Sequence, residues 1–185
     1  MIGTYCTYVL DLPAENHHKI YHDQRYGFPV DSDNELFGRL ILEINQAGLS
    51  WNTILQKENN FREAFDDFSI EKIAQYDEQK IAQLMQNSGI IRNNLKIRGV
   101  IHNAQFVQSL QQEFGSFKNW LDAQGPLSLK EWTKLFKCHF KFTGGMIIEE
   151  FLMSSGYLKG AHSRNCIIFD DVIATDPKWL TYEKN

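Results

Sequence analysis

The run from Leu36 to Ile44, "LFGRLILEI", is the stretch that leaves the chain least freedom. On a helix, Leu36, Leu40, Glu43 and Ala47 share one face, and Phe37, Ile41 and Ile44 flank it. Apolar side chains at 40, 41, 42 and 44 bury such a helix nearly all round. A lone acid on it is uncommon, because a carboxylate taken out of water needs compensation. Glu43 is therefore either a surface residue on an ordinary helix or a buried acid placed for a ligand. Periodicity leaves both open.

The punctuation around this run is helical. Ser32 precedes Glu35 by three residues, a capping-box pattern, and Gly48 suits a left-handed stop. Ser50 opens a second helix from Trp51 to about Phe65, Ser69 a short one, and Asp77 a third over "EQKIAQLMQN". Gly89 breaks that helix, and "NNLKIRGVIHNAQFVQSLQQEF" resumes the pattern to Phe114, giving a helix, a short hairpin and a helix over about 77–112. Ser128 and Glu131 form another capping box, and a last helix over "FTGGMIIEEFLMSSG" ends at Gly156. The tail 167–185 reads as irregular, with a strand-like "CIIFDDVIAT" from Cys166. Strands and helices nowhere alternate, so the fold is expected to be mostly α, one domain over 1–185.

With 43% apolar and 13% aromatic residues the chain can build a core, and no apolar run is long enough to span a membrane. The N-terminus lacks a basic start and a long apolar stretch, so no signal peptide and a cytoplasmic location are expected. The formal charge of −4 argues mildly against a nucleic-acid partner. The distribution argues the other way. Gln79–Gln112 contains no acid but holds Lys80, Arg92, Lys96 and Arg98, and Trp132–Ile148 contains none but holds Lys134, Lys137 and Lys141. An acidic protein can thus present a basic face.

Three cysteines do not make a disulfide framework. Cys6 and His22 lie near the N-terminus, and His162 and Cys166 near the C-terminus in an H-x3-C spacing. Two Cys and two His are a tetrahedral zinc set with no open position, which would make the ion structural. It would clip two distant segments and remove much unfolded-state freedom. Free thiols and surface histidines remain the alternative, since no local motif joins Cys6 to His22.

"IYHDQRYGFPVDSDNELFGRLILEINQAGLSWNTILQKENNFREAF" resembles the N-terminal half of the 3-methyladenine DNA glycosylase I (Tag) family, whose pattern is YHD-x-x-[WY]-G, then a Glu, then QAGLSW-x-T-[IV]-L-x-[KR]. "SGIIRNNLKIRGVIHNA" is similar to that family's helix-hairpin-helix, and "FKFTG" and "SSGYLKGAHSRNC" to its C-terminal segment. The resemblance covers roughly Thr4 to Cys166. It implies a helix-hairpin-helix glycosylase domain with zinc-tethered termini, the structural zinc held by Cys6, His22, His162 and Cys166. It implies base-excision repair: hydrolysis of the N-glycosidic bond of 3-methyladenine in alkylated duplex DNA by a monomer, with a bacterial-type, nucleoid-associated activity. The base site it implies is Tyr21, Glu43 and Trp51, with Tyr8 where Trp is usual and His18 beside them. A non-catalytic binder of damaged DNA with the same fold is the alternative.

An enzyme acting on a base in a duplex must first extrude it. 3-Methyladenine is cationic with a weakened glycosidic bond, so selection matters more than protonation. Glu43 suits selection: a carboxylate accepts from the exocyclic amine and favours a cation over neutral adenine. Trp51 and Tyr8 offer faces to a flat electron-poor ring, worth about 1–3 kcal/mol per stack. The Tyr21 hydroxyl can bond the base edge. On the resemblance, Glu43 and Tyr21 carry catalysis.

At the hairpin, backbone N–H groups near Gly89 and the following helix N-terminus are expected to hold a phosphate, with Arg92, Lys96 and Arg98 adding charge. Gly48-Leu49 is expected to wedge into the gap left by the base. The Asp that superfamily relatives carry beyond the hairpin is missing from Gln79–Gln112, and "GIIRNN" lacks the lysine of lyase-type members. A monofunctional enzyme using water follows. His18 stands where the family often has Tyr, Tyr8 for Trp, and "FTGGM" for an "FVGPT"-like sequence, which bears on the pocket wall and leaves Glu43, Trp51 and the zinc set untouched.

Overall fold

The computed structural model describes residues 4–184, and among them every regular element is a helix. The chain divides into two compact units: residues 31–148, and residues 1–30 with 149–185.

The 31–148 unit is built round α3 (Asp33–Gln46), with α4 (Trp51–Ala64), α5 (Ile70–Ile73), α6 (Glu78–Gln86), α7 (Asn94–Phe114), α8 (Phe117–Gln124) and α9 (Leu129–His139). Every residue of α3 from Leu36 to Asn45 is buried, as its all-round apolar pattern requires. The Ser32 hydroxyl caps it, accepting from the Glu35 N–H at 3.4 Å. The reciprocal half of that capping box is given up: the Glu35 carboxylate instead takes both guanidinium nitrogens of Arg62 on α4, at 2.6 and 2.8 Å. The Ser128–Glu131 box on α9 closes in both directions. Asp33 bridges elements, accepting from the Phe117 and Lys118 N–H groups that open α8. Ala47 leaves the helix and Gly48 turns it at φ +86°.

One feature is invisible in the sequence pattern. Asp66, Asp67 and Phe68 all have φ between 51° and 58°, a left-handed turn of three non-glycine residues. It drives the Phe68 ring into a notch at Gly38, where a Cβ would collide with the ring. Phe68 is fully buried, and the Arg62 guanidinium lies 5.0 Å above it. Asp66 accepts from the Tyr76 hydroxyl, which holds the turn.

The other unit contains α1 (Thr4–Val9) and α2 (His17–Gln24), followed late in the chain by α11 (Phe169–Ala174) and α12 (Lys178–Lys184); α10 (Gly145–Ser154) runs across the division. One cluster of its core is Cys6, Cys166, Ile168 and Val172, with Phe28 and Phe169 packed against them, and Val9, Phe151, Leu152 and Tyr157 are buried in the same unit. The tail corrects the sequence expectation. "CIIFDDVIAT" has the β-branched density of a strand, but Phe169–Ala174 is helical, with Asp170 and Asp171 in the first turn where the helix dipole favours them. The tail is anchored, not irregular: Pro177 packs on Gly156, the Trp179 N–H donates to the Gly156 carbonyl at 3.1 Å, and Trp179 is buried. Among the described residues, no helix is long and apolar enough to cross a membrane.

Candidate metal centre and base site

Cys6, His22, His162 and Cys166 meet, all four buried, with one ligand atom each within 4.8 Å of the others. Cys166 Sγ lies 3.5 Å from His162 Nδ1 and 3.6 Å from His22 Nε2, and Cys6 Sγ lies 3.9 Å from His162 Nδ1. Zinc bonds of about 2.3 Å to sulfur and 2.0–2.1 Å to nitrogen put tetrahedral S···N edges near 3.5 Å. The spacing therefore fits one small tetrahedral ion. The far nitrogens are also assigned. His22 Nδ1 lies 2.7 Å from Asp23 Oδ1, and His162 Nε2 lies 2.7 Å from the Tyr26 carbonyl. Donating there directs His22 Nε2 and His162 Nδ1 inward, the arrangement that orients metal-bound imidazoles. Burial pushes the Asp23 carboxyl up, but hydrogen bonds from Lys19 and His22 outweigh it and leave the group below its usual range. Burial likewise lowers His162, which favours the neutral imidazole a metal needs. Asp23 and the Tyr26 carbonyl were not singled out from sequence, although Asp23 directly follows a ligand.

Glu43 is 4% exposed on the most buried helix, so the surface alternative is excluded. Four residues later the chain comes out to solvent: Ala47, Gly48 and Leu49 are exposed, Leu49 at 40%, and nothing stands within 4 Å of where a Gly48 Cβ would be. Trp51 is half-buried at the start of α4, whose N-cap is Ser50.

Lys96, read from sequence as adding charge near the hairpin, is buried, and its Nζ donates to the Asn45 and Ala47 carbonyls at 3.2 and 3.1 Å. These carbonyls end α3 and have no intrahelical partner, so a cation there satisfies both a hydrogen-bond and a dipole requirement. Burial lowers the Lys96 ammonium pKa. The tie fixes the Gly48-Leu49 loop to the first turn of α7. Lys57 does similar work on the hairpin, donating to the Ser88 and Gly89 carbonyls at 3.0 and 3.2 Å. The Gly89 N–H, expected to face a phosphate, donates to Asn87 Oδ1 at 2.8 Å. Arg98 grips Glu78 at 2.6 and 2.5 Å, an exposed pair that water weakens, while Arg92 is exposed.

Tyr8, His18 and Tyr21 belong to the other unit. Tyr21 is buried under the Arg25 guanidinium, 5.4 Å from its ring centroid. Tyr8 is half exposed and meets the His18 ring edge-on at 5.2 Å, and the Tyr5 hydroxyl is 3.1 Å from His18 Nδ1. The two departures from the family pattern, Tyr8 and His18, thus touch each other. Tyr5, which joins them, carried no signal in the sequence.

With these groups placed, the comparisons with known proteins become specific. A family model for methyladenine glycosylase matches residues 13–130. The DNA-3-methyladenine glycosylase of Haemophilus influenzae is 38% identical over 101 residues, 55% of this chain and 55% of that protein. DNA-3-methyladenine glycosylase 1 of Escherichia coli is 38% identical over 101 residues, 55% and 54% of the two chains. The chain therefore spans about half the length of the curated relatives it matches. Among solved structures, a 3-methyladenine DNA glycosylase I superposes with a TM-score of 0.76 at 29% identity, covering 85% of this chain and 97% of that one. The Staphylococcus aureus enzyme, solved to explain 3-methyladenine recognition, gives 0.76 at 30% identity over 89% and 95%. The chain belongs to the methyladenine glycosylase family.

Proposed function

We propose that the protein is a monofunctional DNA glycosylase that releases 3-methyladenine from alkylated duplex DNA. The observation that carries this reading is the buried Glu43 carboxylate, five residues before an exposed Gly48-Leu49 turn, in a chain of this family. Relatives named for the same activity support it.

In this reading, Leu49 fills the gap left by the extruded nucleotide, and Glu43 accepts from the exocyclic amine of the cationic base. At about 4 Å a charge pair is worth roughly 1 kcal/mol in water but about 4 kcal/mol at an effective dielectric constant of 20, so burial gives Glu43 its selectivity. Trp51 stacks on the base, and Tyr21 bonds its edge. Tyr8 and His18 act as one aromatic pair setting the range of bases accepted. The C1′–N9 bond breaks with its electron pair going to the base, which departs as neutral 3-methyladenine. Water adds to C1′ and loses a proton, leaving an abasic site. The Arg92 guanidinium and the α7 N-terminus hold the backbone, with Arg98 exchanging Glu78 for phosphate.

The Cys6, His22, His162 and Cys166 set is proposed to hold a structural zinc. With four protein ligands it has no open position, and its contribution is to stability. The chain is proposed to act as a monomer.

The test is direct. Purified protein incubated with methylated duplex should yield free 3-methyladenine and intact strands containing abasic sites. Strand cleavage would exclude the monofunctional reading. Tight binding to abasic DNA without base release would favour the non-catalytic binder.

A further inference from the structure

The sequence contains two acid-free windows, Gln79–Gln112 and Trp132–Ile148, and in the fold they lie side by side. The Asn103 amide is fully buried and clamps the backbone of the second window: its Nδ2 donates to the Lys141 carbonyl at 3.1 Å, and its Oδ1 accepts from the Lys141 N–H at 2.7 Å. One helical turn earlier, a Cβ on Gly99 would stand 2.6 Å from the Phe142 ring and 3.3 Å from Lys141 Cβ, so only glycine admits this approach. On the other side, His102 Nε2 lies 3.0 Å from the His139 carbonyl, and the Phe106 and His139 rings stack at 4.8 Å.

The clamped segment is exposed and cationic. Trp132 and Phe136 are buried along α9, which turns Lys134 and Lys137 to its outer face, and Lys141, just past the helix end, is exposed as well. Phe142 is 43% exposed and held at φ +59°, a left-handed conformation that a bulky residue adopts only where its surroundings enforce it. Leu95, Gly99 and His102 form a single stripe on α7 that starts at the hairpin and ends under this segment. From Asn94 to Gly99 is about 7.5 Å of helix axis, the rise of about two nucleotides of one strand.

We propose that the Lys134–Phe142 segment is a second DNA-backbone contact, continuous with the hairpin, in which Lys134, Lys137 and Lys141 neutralise phosphates flanking the extruded nucleotide. The occupant is duplex DNA because the charge is of one sign over both windows, and because the segment is docked rigidly beside the element that family resemblance assigns to DNA. The inference rests on the glycosylase reading. It explains how a chain of net charge −4 binds a polyanion although Lys57 and Lys96 are both committed to backbone carbonyls. The three lysines supply the charge that those two do not.

The test measures the affinity of the full chain for a duplex carrying an uncharged abasic analogue across a salt series. Lys134→Ala/Lys137→Ala/Lys141→Ala should bind on the order of 10²-fold more weakly near physiological salt, with the slope of log K against log salt shallower by about 2–3. The melting temperature should be unchanged. Lys72→Ala, which removes an exposed charge from the same unit, should leave slope and affinity as in wild type. An unaltered slope in the triple variant, or an equal loss in Lys72→Ala, overturns the proposal. The two readings separate cleanly. Wild type that releases no base while the triple variant loses slope contradicts the glycosylase and keeps the contact; wild type that releases base with an unaltered variant slope does the reverse.

Discussion

The two units solve the same problem by different means. The 31–148 unit has long helices, up to the 21 residues of α7, and a continuous core running through α3. The other has α1, α2, α11 and α12 at six, eight, six and seven residues, each below the length at which a helix is even marginal alone. What it adds to its own buried residues, Val9, Phe151, Leu152 and Tyr157 among them, is four convergent Cys and His side chains, two oriented imidazoles and a tail anchored at Gly156. One unit is stabilised by long helices on a continuous core, the other by short helices joined through a few directional groups. The candidate chemistry follows the same division: a buried carboxylate needs the rigid apolar scaffold, while a metal clip can order short helices.

Metal removal should break the comparison most completely. Structural zinc contributes apparent binding energies of about 10–16 kcal/mol in isolated zinc peptides, and that energy is folding energy. Chelation, or Cys166→Ser, should abolish amide protection in α1, α2, α11 and α12 while leaving α3 and α7 protected. Hydrogen exchange with fragment resolution reads this outcome, and uniform loss of protection would show that the units do not differ as described.

The converse change is Gly38→Ala. Its methyl meets the Phe68 ring in the notch of α3, so overpacking should cost about 1–3 kcal/mol in denaturant-measured stability. Amide protection in α1, α2, α11 and α12 should be unchanged, because the notch lies in the 31–148 unit.

These two sites also mark what the sequence made legible. Capping residues and periodicity are local, so α3, α4, α6, α7 and α9 could be read within a residue or two of their ends. The four clustered Cys and His residues were legible by type, and family resemblance chose among the six histidines. The Asp66–Phe68 turn was not legible, since non-glycine residues give no hint of positive φ and the notch that stabilises it lies about thirty positions away. The partners of Lys96 are hidden in the sequence for a related reason. Its sequence context is a basic window, but its partners are the Asn45 and Ala47 carbonyls about fifty positions earlier. In the tail, β-branched density points to a strand, but Asp170 and Asp171 suit a helix start and the helix forms. The second acid-free window was visible as composition, yet only the Asn103 clamp shows that it adjoins the first.

Lys96→Met tests the tie within the apolar unit. Removing the ammonium leaves two helix-end carbonyls without this donor, at a cost of about 1–3 kcal/mol. Because that tie holds the Gly48-Leu49 loop, base release should slow more than global stability alone would predict. Equal base release at matched folded fraction would limit Lys96 to a purely structural role.

The smallest effect concerns acid. Asp66 is held below the usual carboxylate range first by the Tyr76 hydroxyl, against burial, and then by Lys80. A depressed folded-state pKa adds stability that is complete above the unfolded value, about 3.9, and is lost as pH falls through the folded value. Asp66→Asn should therefore lower stability slightly at neutral pH, flatten the acid limb and leave stability at low pH nearly unchanged. An unaltered acid limb would place the acid sensitivity elsewhere.

The central claim is that the buried carboxylate of α3 reads and helps release a cationic base. Single-turnover release of 3-methyladenine from alkylated duplex, compared between wild type and Glu43→Gln, tests it most directly. The account predicts a rate lower by on the order of 10²-fold in Glu43→Gln, with abasic-DNA affinity and melting temperature unchanged. Equal release rates in the two proteins would contradict it.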